Sequence, residues 1–206
     1  MNDVSYKNTV NSFLKPNGGN GSTNIGLGWG LVYNNIHNIL NPRKGIFSEW
    51  AFLNYTDKIG SDYKLTTFLS DNRFYIPIRE NNVLAFQFLG QFTSGNPPFN
   101  LLSLMGGESL MRGYYLGRYR DNHMIASQIE YRILPFSFAK RWGASIFFAA
   151  GEVFSSLDKF EIKKLLPTAG AGLRFLLFPE KDIYTRLDFA LTQEGSGVYF
   201  FIGEAF

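Results

Sequence analysis

The chain has 206 residues, enough for one domain with a sizeable core, and its lack of cysteine rules out a disulfide frame or a thiolate metal site. Charged residues make up 18% and aromatics 17%, against roughly 25% charged in soluble domains. A net charge of +3 with no Lys/Arg cluster argues against a nucleic-acid partner, and no apolar run approaches the ~18 residues of a spanning helix. Two classes remain: a soluble β-sandwich with an aromatic core, or a membrane barrel with one apolar and one polar face to each strand.

The chain begins Met1-Asn2-Asp3-Val4-Ser5-Tyr6-Lys7, without the apolar stretch of a signal peptide, so a mature, trimmed or fragment sequence is expected. Val4–Leu14 alternates weakly through Val4, Tyr6 and Val10, and a Gly-rich loop follows up to Ser22. Asn24–Asn34 alternates clearly, with Ile25, Leu27, Trp29, Leu31 and Tyr33 on one face and Gly26, Gly28, Gly30 and Val32 on the other. So many glycines on one face suit a crowded lumen or a curved wall, because glycine lets backbones approach closely. Gly45–Tyr55 puts Ile46, Ser48, Trp50 and Phe52 on one side. Asp62–Ile78 begins with Tyr63, Leu65, Thr67 and Leu69 expected outward, and Asn82–Phe92 turns Leu84, Phe86, Phe88 and Phe92 outward against Gln87 and Gln91.

Between Thr93 and His123 the strand rhythm stops. A Gly-rich stretch of about 30 residues inside a tight β protein is uncommon and usually functional. At its centre stands Gly106-Gly107-Glu108-Ser109-Leu110-Met111-Arg112-Gly113-Tyr114, which points to a loop folded into a barrel lumen.

Beyond it, Met124–Phe136, Arg141–Val153, Thr168–Phe178, Ile183–Thr192 and Val198–Phe206 alternate again. Their expected inward faces carry Gln128, Glu130, Arg132, Arg174, Arg186 and Asp188. The segments run to about 9–13 residues, close to the ~9–11 of a tilted membrane strand. Trp29, Trp50 and Trp142 suit interfacial girdles or an ordinary core equally well. Connections alternate between short or Pro-bearing turns and longer Gly-rich or polar loops, as between the two sides of an outer-membrane barrel. In the last segment Val198, Phe200, Ile202 and Phe206 share one parity, with Glu204 the exception near the rim.

From about Ile25 to Phe206 the ordered set of motifs resembles the C-terminal part of the BamA/TamA-type assembly barrels, the bacterial surface antigen family. The matching pieces are Gly26-Leu27-Gly28 and Asn41-Pro42-Arg43-Lys44-Gly45, then Lys64 with Asp71, Arg73, Tyr75 and Pro77. Gly106-Gly107 with Met111-Arg112-Gly113-Tyr114 looks like that family's lumenal loop motif, followed by Gln128-Ile129-Glu130-Tyr131-Arg132. Phe147 to Gly151, Gly170-Ala171-Gly172-Leu173-Arg174, Arg186-Leu187-Asp188 and a terminal Phe complete the series. The chain departs from the family at Ala149, where an Asp usually helps to hold the loop Arg, and at Asn34-Asn35-Ile36-His37-Asn38. It also has neither the family's usual length, about sixteen strands, nor a POTRA-like helical segment.

The expected fold is therefore all-β: one antiparallel transmembrane barrel domain over residues 1–206, of about ten strands with eight as the alternative count, and a long lumenal Arg-Gly-Tyr loop. The resemblance implies an outer-membrane location, with lipid and unfolded barrel or secreted proteins as partners. It also implies a role in inserting or translocating proteins or lipids. A passive small barrel or narrow pore, or an inactive piece of a larger barrel, is the alternative. No cofactor, metal or enzyme activity is expected, since His37 and His123 fall at opposite rims and assemble no Ser–His–Asp group. Arg112 is expected to pair with Glu130, with Asp188 in reserve, because an unpaired guanidinium in a narrow lumen is costly. Phe200, Ile202 and Phe206 are expected to form a C-terminal membrane signal.

Overall fold

The computed structural model describes residues 16–206, so the weak Val4–Leu14 segment lies outside the described residues. In chain order the strands are β1 (Gly26–Asn34), β2 (Gly45–Tyr55), β3 (Leu65–Arg79), β4 (Asn82–Gly95), β5 (Ser103–Met105), β6 (Tyr119–Asp121), β7 (His123–Ile133), β8 (Trp142–Phe154), β9 (Leu166–Phe178), β10 (Ile183–Thr192) and β11 (Ser196–Ile202). Nine of them form one antiparallel sheet in the order β1-β2-β3-β4-β7-β8-β9-β10-β11, while β5 and β6 pair only with each other. Among the described residues, β1 and β11 are each paired on one side.

The sheet rolls into a barrel wall, because contacts join strands far apart in the ladder. Asn41 and Arg43, in the turn before β2, bind Asp182 in the turn before β10 at 2.9 and 2.6 Å. The amide of Glu204, just past β11, donates to the Leu40 carbonyl at 2.8 Å. The wall is two-sided as period two demands. Leu27, Trp29, Trp50, Phe86, Ile129, Ile146, Phe148, Leu173, Leu187 and Phe200 stay exposed on the outside, while Gln87, Gln128, Glu130, Arg132, Arg174 and Asp188 are buried inside.

Two expectations are corrected here. In β3 the parity is inverted: Leu65 is buried and Thr67 bonds Thr93 on the lumenal side at 3.0 Å, whereas Phe68 and Ile76 face out. Asp71, Arg73 and Tyr75 share that parity, and one continuous strand cannot turn Leu65 outward and Asp71 inward at once.

The last strand ends at Ile202 rather than running to Phe206. Gly203 adopts φ +91°, which breaks the alternation and turns the chain inside. Phe206 is consequently buried against Tyr75, Val83 and Ala85, with its ring 6.2 Å from that of Tyr75, instead of lying outward beside Phe200 and Ile202. The glycines facing inward on β1 also divide. A Cβ on Gly28 would stand 2.2 Å from the Phe52 carbonyl oxygen, whereas Gly30 meets nothing closer than 3.6 Å. Close approach to β2 explains the first and not the second.

Candidate functional site

The segment between β4 and β7 folds back into the lumen. β5 and β6 make its stem, and the turn at its tip is tied by the Tyr114 amide to the Met111 carbonyl at 3.2 Å and the Gly107 amide to the Tyr114 carbonyl at 3.0 Å. Gly113 is required at this turn: its φ is +102°, and a Cβ there would meet the Thr192 methyl at 2.4 Å. Met105, Met111 and Tyr114 are buried with Met124, Ala126 and Ala149, so an apolar layer seals the plug against β7 and β8.

Past that layer, Arg112 reaches the polar floor of the lumen. Its guanidinium meets Glu130 at 2.5 Å and Asp188 at 2.6 Å, with Gln128 at 3.4 Å. It also lies 3.4 Å from the ring centre of Phe147, a cation–π contact in a desolvated site. Glu130 and Asp188 have further partners. Arg132 and Arg174 contact Glu130 at 3.1 and 2.9 Å, and Arg174 and Arg186 contact Asp188 at 2.5 and 2.6 Å. Glu204 closes the set against Arg174 at 3.0 Å and Arg132 at 3.5 Å. The carbonyl oxygen of Phe206 accepts from Arg132 at 3.1 Å. Four guanidiniums thus share three carboxylates. Charges so far from water need such multiple pairing.

Backbone contacts hold the rest of the tip. The Tyr199 hydroxyl accepts from the Gly113 amide at 2.8 Å, the Thr168 hydroxyl donates to the Arg112 carbonyl, and the Tyr114 hydroxyl donates to the Pro167 carbonyl at 3.1 Å. Arg186 donates to the Glu108 carbonyl at 3.0 Å. Gly106 and Gly107 sit at the neck, both at positive φ. At the loop rim, Glu194 in the β10–β11 turn accepts from Arg118 at 3.0 Å and from the Tyr119 hydroxyl. Those two donors, Tyr119 first, hold its carboxyl below the ordinary range.

The structure thus brings Arg112, Glu130 and Asp188 to one point and places Gly106, Gly107, Met111, Gly113 and Tyr114 around them. Phe200 and Ile202 stand apart on the outer face. Phe147, Thr168 and Tyr199 were not singled out from sequence. For Phe147 a signal existed: it is the one large ring on an inward face otherwise made of Gly143, Ser145, Ala149, Gly151 and Val153. Ala149 packs in the apolar layer, and Phe147 two residues before it supplies a contact to Arg112. His37 borders a cleft with Arg79 and Asn82 at the turn end, whereas His123 stacks between Phe92 and Phe154 at the loop end.

Comparison with curated proteins found no sequence match. Among solved structures, the barrel of BamA from Haemophilus ducreyi lacking POTRA domains 1–3 superposes with a TM-score of 0.68 at 19% identity, over 88% of this chain and 42% of that one. This chain therefore spans less than half the length of that structure, and the likeness concerns the fold. The family model for the Omp85 superfamily domain matches residues 2–206. With an all-β wall, a lumenal Arg-Gly-Tyr plug and a match over nearly its whole length, the chain belongs to the Omp85 superfamily of outer-membrane barrels.

Proposed function

We propose that this barrel inserts or translocates proteins or lipids at the outer membrane, using the edges of β1 and β11 as the contact for its client. The observation that carries this reading is the pair of edges themselves: each is paired on one side only among the described residues. An unpaired edge offers a row of amide and carbonyl groups to an incoming strand. The filled lumen supports the same reading, because a client has no open pore to take. In this role the Arg112 plug, tethered by Glu130 on β7 and Asp188 on β10, braces the wall up to the edge strand β11, where Tyr199 holds Gly113. Phe200 and Ile202 on the outside, with Phe206 turned in, form the C-terminal membrane signal. The chemistry is strand exchange and needs no enzyme activity or cofactor.

The test uses the Cys-free background. Single cysteines at Tyr33 on β1 and Val198 on β11 are offered, in vesicles, to a series of unfolded barrel proteins, each carrying one cysteine at a different position of its last strand. Disulfide capture with an every-second-residue pattern along the client, together with faster client folding than in empty vesicles, is the expected result. No capture and no acceleration would sink the proposal.

A second reading is favoured by the 42% coverage of the BamA structure: the wall is one part of a larger barrel, completed by more chain or by a second copy. Mass measurement in detergent distinguishes a single chain from a pair.

A further inference from the structure

The connection between β8 and β9, residues 155–165, turns neither into the lumen nor away from the wall. It folds down over the outer face. Glu152 and Phe154 lie on the outward parity of β8, as their partners Ile125 and His123 do on β7. Yet Glu152, Phe154 and His123 are all buried. The connection is what covers them. Phe160 packs on Phe154 with ring centres 5.5 Å apart, and Phe154 in turn lies 5.3 Å from His123. The Glu161 amide donates to the Glu152 carboxylate at 3.2 Å, and Asn122 donates to the Ser155 carbonyl at 3.0 Å. A carboxylate that the strand aims at lipid is thereby capped by protein.

The outer side of this flap is chemically two-sided. Leu157 is 67% exposed and Ile162 75%, among the most exposed apolar side chains described. Beside them stand Lys159, Lys163 and Lys164, all exposed. Lys159 and Lys164 have carboxylate neighbours at 3.8 and 2.5 Å, in Asp158 and Glu161, and among the described residues Lys163 has no ion pair. The flap lies at the loop end of β8 and β9. The strands below it present Ile146, Phe148 and Leu173 outward, the lipid-facing band of the wall. Apolar tips directly above such a band, with ammonium groups beside them, match the step from acyl chains to headgroups.

We propose that residues 155–165 form a lipid anchor on the outside of the barrel. Leu157 and Ile162 enter the acyl edge of the leaflet, and Lys163, helped by Lys159 and Lys164, meets phosphate groups of the lipid. The occupant is the phosphate-bearing lipid layer that already coats the strands below.

The whole chain carries one introduced cysteine, Ile162→Cys, labelled with a nitroxide, and Leu157→Cys serves as an independent site should the first variant fail to fold. Tyr115→Cys, 86% exposed on the lumenal segment, is the water-facing reference. Each is reconstituted into phosphatidylcholine vesicles with and without phosphatidylglycerol. At 162 and 157 the ratio of oxygen to nickel-chelate accessibility is expected to exceed the Tyr115→Cys reference several-fold. It should rise further with the anionic lipid, and Lys163→Gln should remove that rise. A water-like ratio at both sites overturns the anchor. An unchanged ratio on adding phosphatidylglycerol, together with no effect of Lys163→Gln in either vesicle, overturns the phosphate contact.

Discussion

Replacing Glu130 should damage the barrel more than replacing Arg112, although the two touch at 2.5 Å. Arg112→Ala leaves Glu130 with Arg132 and Arg174, and Asp188 with Arg174 and Arg186, so no carboxylate is orphaned. What is lost is the charged hydrogen bonding of one guanidinium, about 1.5–3 kcal/mol. Glu130→Ala instead leaves four guanidiniums around Asp188 and Glu204 alone, in a place that water does not reach. Breaking a buried pair in this manner costs about 3–5 kcal/mol. The double variant relieves part of that excess positive charge, so its cost should fall short of the sum by a coupling of about 0.5–3 kcal/mol. Urea unfolding in detergent micelles, followed by the fluorescence of Trp29, Trp50 and Trp142, measures all three. Strict additivity refutes the direct coupling, and a larger loss for Arg112→Ala refutes the argument from unbalanced positive charge.

Phe206→Ala removes the ring packed on Tyr75, Val83 and Ala85 and should lower the same unfolding midpoint, by about 3 kcal/mol at the low end for a buried Phe; an unchanged midpoint would mean that the inward turn at Gly203 contributes nothing. Gly113→Ala forces a side chain into φ +102° and onto Thr192, a strain of about 1–3 kcal/mol, and should make the plug accessible to protease where the parent is resistant. The rim clasp should depend on acid. Because Glu194 titrates below 4.5 when folded, its contribution is complete above that pH and is lost as pH falls further. An acid-active protease should therefore open the Arg118–Tyr119 segment below about pH 4.5, and in Glu194→Gln at every pH; equal resistance of parent and variant would count against the clasp. Finally, the folded chain in detergent should migrate differently on a gel before and after boiling, and a monodisperse detergent-free protein would contradict the membrane fold.

Alternation located the nine long strands because lipid demands an apolar outer face whatever the sequence does elsewhere. Gly45–Tyr55 and Ile183–Thr192 have the same limits in sequence and in structure, and the other strands differ by a few residues at their ends. The cluster was legible for the same reason: Glu130, Arg132, Arg174, Arg186 and Asp188 all fall on inward parity. Parity failed where the lumen itself is apolar. Under the plug, Leu89, Met124 and Ala126 face inward, so the apolar Leu65 and Leu69 of β3 carried no mark of their side. It failed again at Phe206, where one positive-φ glycine reset a count that had been extended as if the strand continued. The flap left no sequence trace, since the length of a connection does not say on which side of the wall it lies.

The turn-end network has a mechanical consequence. Asn41 and Arg43 lead into β2 beside β1, Asp182 leads into β10 beside β11, and both residues are bonded to it, with Glu204 fastened to Leu40 just beyond β11. The two margins of the wall, each paired on one side only among the described residues, are thus riveted at one end. At the other end β1 starts from a loop, and β11 starts from the hairpin that holds Glu194. Any parting of these margins is therefore angular rather than uniform, like shears turning on a pin, with the greatest travel beside Gly26 and Ser196 and almost none beside Asn34 and Ile202.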